Sequence, residues 1–158
     1  MKKPMRSVSI SIILVLILLL LSFTVAFAAP PLGLHIEVLE RIDSNLGPDP
    51  FTASGLAVDN GVICPTGQVV DTVINYFGPP QGTYTFIYIV KEFTCDDNSG
   101  MFMIKMRVRL NTATGYTTAR WHFTNGSGDY SRLRGHGTLV GTPGIPGTIL
   151  DIYDGVVH

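Results

Sequence analysis

Met101 to Leu110 reads MFMIKMRVRL, and its alternation constrains the fold more than any other stretch of the chain. Phe102, Ile104, Met106, Val108 and Leu110 fall on one face, while Lys105, Arg107 and Arg109 fall on the other. A period of two is that of a half-buried strand, not of a helix. Such a strand needs neighbours, and the chain supplies candidates. Leu34 to Val38 alternates in the same way, and Phe51 to Val58 is a weaker second strand. Val69, Val70, Val73 and Ile74 mark a third strand within QVVDTVINYF. Thr83 to Thr94, TYTFIYIVKEFT, is β-branched and aromatic and apolar on both faces in its middle. Thr118–Thr124, Ser131–Val140 and Thr148–Val157 bring the expected total to about eight.

The connections are rich in turn formers: Asp59–Gly61, Phe77–Gly82, Asp96–Gly100, Asn111–Gly115 and Gly141–Gly147. No helical periodicity, linker or internal repeat interrupts them. The pattern implies an antiparallel sandwich or barrel. Eight strands can close on themselves and so remove exposed edges. The expected class is therefore all-β, an eight-stranded antiparallel β-barrel forming a single domain over residues 29–158.

Residues 1–28 are read separately. Lys2, Lys3 and Arg6 precede a long apolar run, and Ala26 and Ala28 provide the small-x-small pattern of a signal-peptidase site. A secretory signal peptide cut after Ala28 is expected, which makes the protein secreted. The alternative is an uncleaved segment that anchors the protein in a membrane. The whole chain has 11 Lys+Arg and 12 Asp+Glu. The leader takes three cations and no acids, leaving 8 against 12. That balance argues against a nucleic-acid partner held by overall charge.

The two cysteines, Cys64 and Cys95, form an even pair in an exported chain, which predicts a disulfide. A redox or metal pair is the other reading, but there is no C-x-x-C and no nearby histidine partner. No cofactor or metal is expected. Asp96–Gly100 fails the calcium-loop spacing, because Gly100 stands at the fifth ligand position and Arg107 at the twelfth. His35, His122, His136 and His158 show no metal-ligand spacing. Asn125-Gly126-Ser127 is a glycosylation sequon in a cell that glycosylates exported chains.

The stretch NGSGDYSRLRGHG, residues 125–137, raises the question of a phosphate loop. The third glycine of G-x-G-x-x-G is missing, no helix follows, and no Gly-Lys-Ser/Thr occurs. A turn at Asn125–Gly128 is expected, with Gly135 and Gly137 permitting a bend or close backbone approach in the next strand. Trp121, Phe123, Gly126, Gly128, Tyr130, Leu133, Arg134, Gly135 and Gly137 together make a pattern similar to the G-T-G-x-[FY]-x-x-x-x-G segment of the allene oxide cyclase and dirigent superfamily. FTASG at Phe51–Gly55 and FTCDDNSG at Phe93–Gly100 resemble segments of small secreted proteins with an allene-oxide-cyclase-like barrel domain. The resemblance covers most of residues 34–158 and implies an eight-stranded barrel with a central cavity. The family's catalytic residues do not map onto this chain residue by residue, so its activities are not carried over.

Strand parity predicts one further feature. If the strands from Met101 to Val140 are sequential neighbours, a turn near Ala113–Thr114 brings Arg107 beside Arg120. A turn centred on Ser127 sets Arg120 opposite Arg134 and His122 opposite Arg132. Lys105, Arg107, Arg109, Arg120, His122, Arg132, Arg134 and His136 would then share one polar face. That face is either a solvated outer wall or a docking surface for an anionic surface or polymer. Two functions follow. The favoured one is a non-catalytic secreted barrel that binds a small apolar ligand or an anionic partner; a homo-oligomer is left open. The alternative is a cyclase- or dirigent-like enzyme using the cavity, with Glu37, Glu92, Tyr84, Tyr88 or Tyr153 as the acid or base. Whether the barrel interior is open or filled decides whether either small-molecule reading can stand.

Overall fold

The computed structural model describes residues 30–42, 47–77 and 82–158. The expected signal peptide, its cut after Ala28 and the alternative membrane anchor lie outside the described residues. Among the described residues no helix is long and apolar enough to cross a membrane.

Eight antiparallel strands close into a barrel in sequence order. They are β1 (Leu32–Arg41), β2 (Asp49–Ser54), β3 (Thr66–Phe77), β4 (Tyr84–Cys95), β5 (Gly100–Asn111), β6 (Thr117–Gly128), β7 (Gly135–Pro143) and β8 (Thr148–Val157). Closure is made by β1 and β8, which pair from Leu32 with Val157 to Arg41 with Thr148. The alternation of β5 survives intact: Phe102, Ile104, Met106 and Val108 are buried, and Arg107 and Arg109 are exposed. The disulfide between Cys64 and Cys95 is present, with Cα atoms 6.0 Å apart.

Three local expectations need correction. The second strand stops at Ser54. Gly55 adopts φ 99°, and Leu56–Asp59 forms a single helical turn, α1, that buries Ala57. Asn125–Gly128 is not a turn. It continues β6, because β5 provides partners for it, with Met101 opposite Ser127 and Gly100 opposite Gly128 across a register shift. The turn is formed by residues 129–134, and β7 begins only at Gly135. Arg120 therefore faces Thr138, not Arg134, and His122 faces His136, not Arg132. The slip is of four residues. An even slip keeps each remaining side chain on its expected face, whereas an odd one would reverse them all.

One end of the barrel is filled with aromatic rings. Phe93 and Phe102 lie opposite each other in register and stack with centroids 5.0 Å apart. Phe51, Phe123, Tyr130 and Tyr153 meet this pair edge-on. Edge-to-face contacts suit the ring quadrupoles and add to the burial of large apolar area. Trp121 completes the plug and donates its indole N–H to Thr138 O at 2.9 Å. Gly137 and Gly155 face each other across β7 and β8 beneath this indole. A Cβ at either would come within 2.5 Å of the Trp121 ring. Close approach of ring to backbone is therefore the role of Gly137.

Candidate functional site: a cavity with an ionisable floor

The other end of the barrel is open. A cavity of about 790 Å³ enters there. Its walls come from alternate residues of successive strands: Ile74, Ile87, Ile89, Met106, Val108, Leu110, Leu139 and Ile149. These are aliphatic where the opposite end is aromatic, and their smaller volume leaves the space unfilled.

Four ionisable side chains form the floor: Glu40 of β1, Asp71 of β3, Lys91 of β4 and Asp151 of β8. Each shares its strand's inward parity. Glu40 continues the series Leu34, Ile36, Val38, and Lys91 falls between Ile89 and Phe93. Asp151 falls between Ile149 and Tyr153. Asp71 faces Lys91 directly in register. Immediately beyond it, a bulge between Asp71 and Val73 moves Ile74 and Tyr76 onto the cavity side.

Lys91 is buried to 2 % exposure. Its Nζ lies 2.7 Å from Asp71 Oδ1 and bonds to Glu40 Oε1. The contact with Asp71 is an ion pair. Burial alone would pull the Lys91 ammonium down, but Glu40, Asp71 and Asp151 outweigh it and raise its pKa. Burial also works against the Glu40 carboxylate, yet Lys91 holds it below the usual range. Asp71 goes the other way. Burial pushes it up, Lys91 opposes, Glu40 adds its repulsion, and the result is about 7. Burial and then the Glu40 charge raise Asp151 well above an ordinary carboxyl. Tyr153 is raised by burial and by the neighbouring carboxylates, Asp151 first. Its ring belongs to the aromatic plug and its hydroxyl to the floor. Neither that hydroxyl nor Asp151 Oδ1 has a hydrogen-bond partner.

The mouth is apolar and aromatic. Ile42, Tyr76, Phe77, Tyr84, Phe86, Tyr116 and Ile145 are all exposed at this end, Tyr76 to 71 %. Arg41 also stands there, with its Nε donating to the buried Asp49 Oδ1 at 2.8 Å.

Of the acid–base candidates drawn from the sequence, only Tyr153 reaches the interior. Glu37 is on the outer wall, bonded to His35, which also bonds to Asp154. Tyr84 is exposed beneath the Arg109 guanidinium, 4.8 Å from its ring centroid. Tyr88 and Glu92 have the outward parity of β4, opposite Arg107 and Met103 respectively. The floor residues carry no motif in the sequence, and the apolar middle of Thr83–Thr94 hides Lys91 among residues that look buried on both faces. Parity alone would have placed Lys91 inside.

The eight basic-face residues are divided. Lys105, Arg107, Arg109, Arg120, His122 and His136 share the outer wall of β5, β6 and β7. Arg107 faces Arg120, and Lys105 faces His122. Arg132 and Arg134 sit instead in the exposed connection before β7. Among the described residues no group of three or more metal-ligating side chains is placed to hold an ion. Compared with known proteins, the chain matches no family model, no curated protein and no solved structure.

Proposed function

We propose that this is an exported barrel that binds a small molecule, with the apolar body in the aliphatic cavity and a polar group at the ionisable floor. The observation that carries the reading is the half-open cavity itself. A cleft of this size, with apolar walls and a few convergent polar groups, is the usual form of a ligand site. The buried disulfide supports an oxidising destination. Membership of the allene oxide cyclase and dirigent superfamily belongs to the same proposal, and the barrel architecture supports it.

The neutral dye N-phenyl-1-naphthylamine tests the reading. Saturable binding at one site per chain is expected. Leu110→Trp should weaken it at least tenfold by filling the space below the mouth, with the far-ultraviolet β spectrum unchanged. Equal binding by wild type and this variant would overturn the cavity reading. The second reading, an acid–base enzyme, rests on Asp71, whose pKa near 7 suits proton transfer at neutral pH. Small ketones recovered unchanged after incubation favour the binder. An isomerised product that is lost in Asp71→Asn would favour the enzyme.

The outer basic wall supports docking to an anionic surface or polymer. Like charges directly opposite, as at Arg107 and Arg120, disfavour folding and would be relieved by an anion. The double change Arg107→Glu, Arg120→Glu is expected to abolish retention on a sulfated matrix at low salt. Identical elution of the two proteins would exclude docking through this wall.

A further inference from the structure

We propose that the cavity floor recognises the ammonium group of an amphipathic amine, with Asp151 as its counter-ion and the aliphatic walls holding the hydrocarbon body. The inference rests on the small-molecule reading above and adds the chemical class of the ligand.

The floor brings three carboxyl groups together with one ammonium. Lys91 is committed to two of them, Glu40 and Asp71. The third, Asp151, is buried and lines the cavity, and its Oδ1 has no hydrogen-bond partner. A buried polar atom left unpaired carries a desolvation cost that a ligand donor would remove. Gly141 lies opposite Asp151 on one side and Thr117 on the other. A Cβ at Gly141 would collide with both Thr117 Oγ1 and Asp151 Oδ1. The missing side chain lets Thr117 Oγ1 and Asp151 Oδ1 converge against the β7 backbone, with the unpartnered Tyr153 hydroxyl on the same strand as Asp151.

Three head groups can be compared. An alkylammonium brings three donors and one positive charge. It satisfies the orphaned oxygen, and its charge can take the place of the proton that burial favours on Asp151. A hydroxyl can make the hydrogen bond but cannot balance the charge. A carboxylate would bring a fourth acid beside Glu40, Asp71 and Asp151, with Lys91 already engaged. The groups facing Asp151 are Glu40 from β1, Asp71 from β3, Lys91 from β4, Thr117 from β6 and Tyr153 from β8. Arg41 at the mouth is turned to Asp49.

Burial and the Glu40 charge raise the Asp151 carboxyl well above the usual range, which favours its protonated form in the free protein. Binding an ammonium makes ionisation favourable, so a proton leaves as the amine enters. Affinity should rise between pH 5 and pH 8, over which an alkylamine keeps its charge, having a pKa of about 10 like lysine.

The experiment is calorimetric titration of the protein, with its disulfide intact, using octylamine, octanol and octanoate at pH 5 and pH 8. Repeating the titrations in two buffers of different ionisation enthalpy reads proton release. Octylamine should bind at least tenfold more tightly than octanol at pH 8, lose most of that advantage at pH 5, and release a proton on binding. Asp151→Asn should bring the amine-to-alcohol ratio at pH 8 close to one. A ratio unchanged in Asp151→Asn overturns the counter-ion assignment. Octanol or octanoate binding as tightly as octylamine to wild type at pH 8 overturns the amine while leaving the cavity reading standing. Failure of all three ligands to bind overturns both. The wild-type comparison decides the matter even if the variant does not fold.

Discussion

Lys91→Met is expected to destabilise the protein by about 3–5 kcal/mol at pH 8, the usual cost of stranding one partner of a buried ion pair, and by much less at pH 5. Lys91 is the cation that the buried floor sets against Glu40, Asp71 and Asp151. Without it, three carboxyls face one another out of water, and they can avoid mutual repulsion only by holding protons. At pH 5 protons are available at little cost. At pH 8 each retained proton costs about 1.4 kcal/mol for every pH unit above the group's unfolded pKa. Wild-type protein already carries part of this slope. Asp71 has a folded pKa of about 7 against an ordinary 3.8. The folded state thus holds a proton that the unfolded chain has lost, and stability falls between about pH 4 and pH 7. Taken alone, that rise is worth about 4 kcal/mol. Glu40 is lowered, so its contribution is present above its unfolded pKa and is lost as pH falls. Lys91 is raised, so its contribution is full at neutral pH and is lost as pH climbs through its folded value. Urea unfolding at pH 5, 6.5 and 8 should show wild-type stability falling as Asp71 loses its proton, and a steeper fall for Lys91→Met, in which Glu40 has lost its cation as well. Parallel slopes for the two proteins would mean that the floor does not act as one coupled unit.

The double change Cys64→Ser, Cys95→Ser is expected to cost about 3–4 kcal/mol, from the chain entropy regained by a loop of roughly 30 residues. The bond spans 31 positions and joins the segment before β3 to the last residue of β4. Both cysteines are buried at the aromatic end, where Tyr130 Oη lies 3.3 Å from Cys95 Sγ and 2.7 Å from Ser99 Oγ. The cavity is at the other end. The variant should therefore unfold at lower urea while still binding an apolar dye under native conditions. Reduction of wild-type protein should reproduce the shift. If both thiols of freshly isolated wild-type protein are freely alkylated, the bridge does not form in the cell and this expectation fails.

Much of the barrel was legible from local pattern. The period of two in β5 assigned Phe102, Ile104, Met106 and Val108 to the core and Arg107 and Arg109 to the outer wall, because successive side chains of a strand must point to opposite faces. The short turn near Ala113–Thr114 likewise set Arg107 opposite Arg120. Residues 129–134 were harder to read. Whether Asn125–Gly128 turns or stays extended depends on β5 offering partners to it, and a glycine-rich sequence permits both.

The floor lies between these cases. Parity by itself puts Glu40, Lys91 and Asp151 on the inward side of their strands, and a charge in an apolar series is a signal in the sequence. That the charges meet was decided only by the tertiary structure. They come from β1, β3, β4 and β8, and their common depth follows from the tilt and stagger at which the barrel closes. The bulge after Asp71 adds a second non-local decision. It keeps Asp71 inward beside Lys91 and then shifts the remaining residues by one, so that Ile74 and Tyr76 line the cavity in place of Val73 and Asn75. The sequence determined which side chains each strand presents to the interior, because that depends on the backbone's own alternation. Closure decided which of them stand together, because distance across a barrel is a property of all eight strands at once.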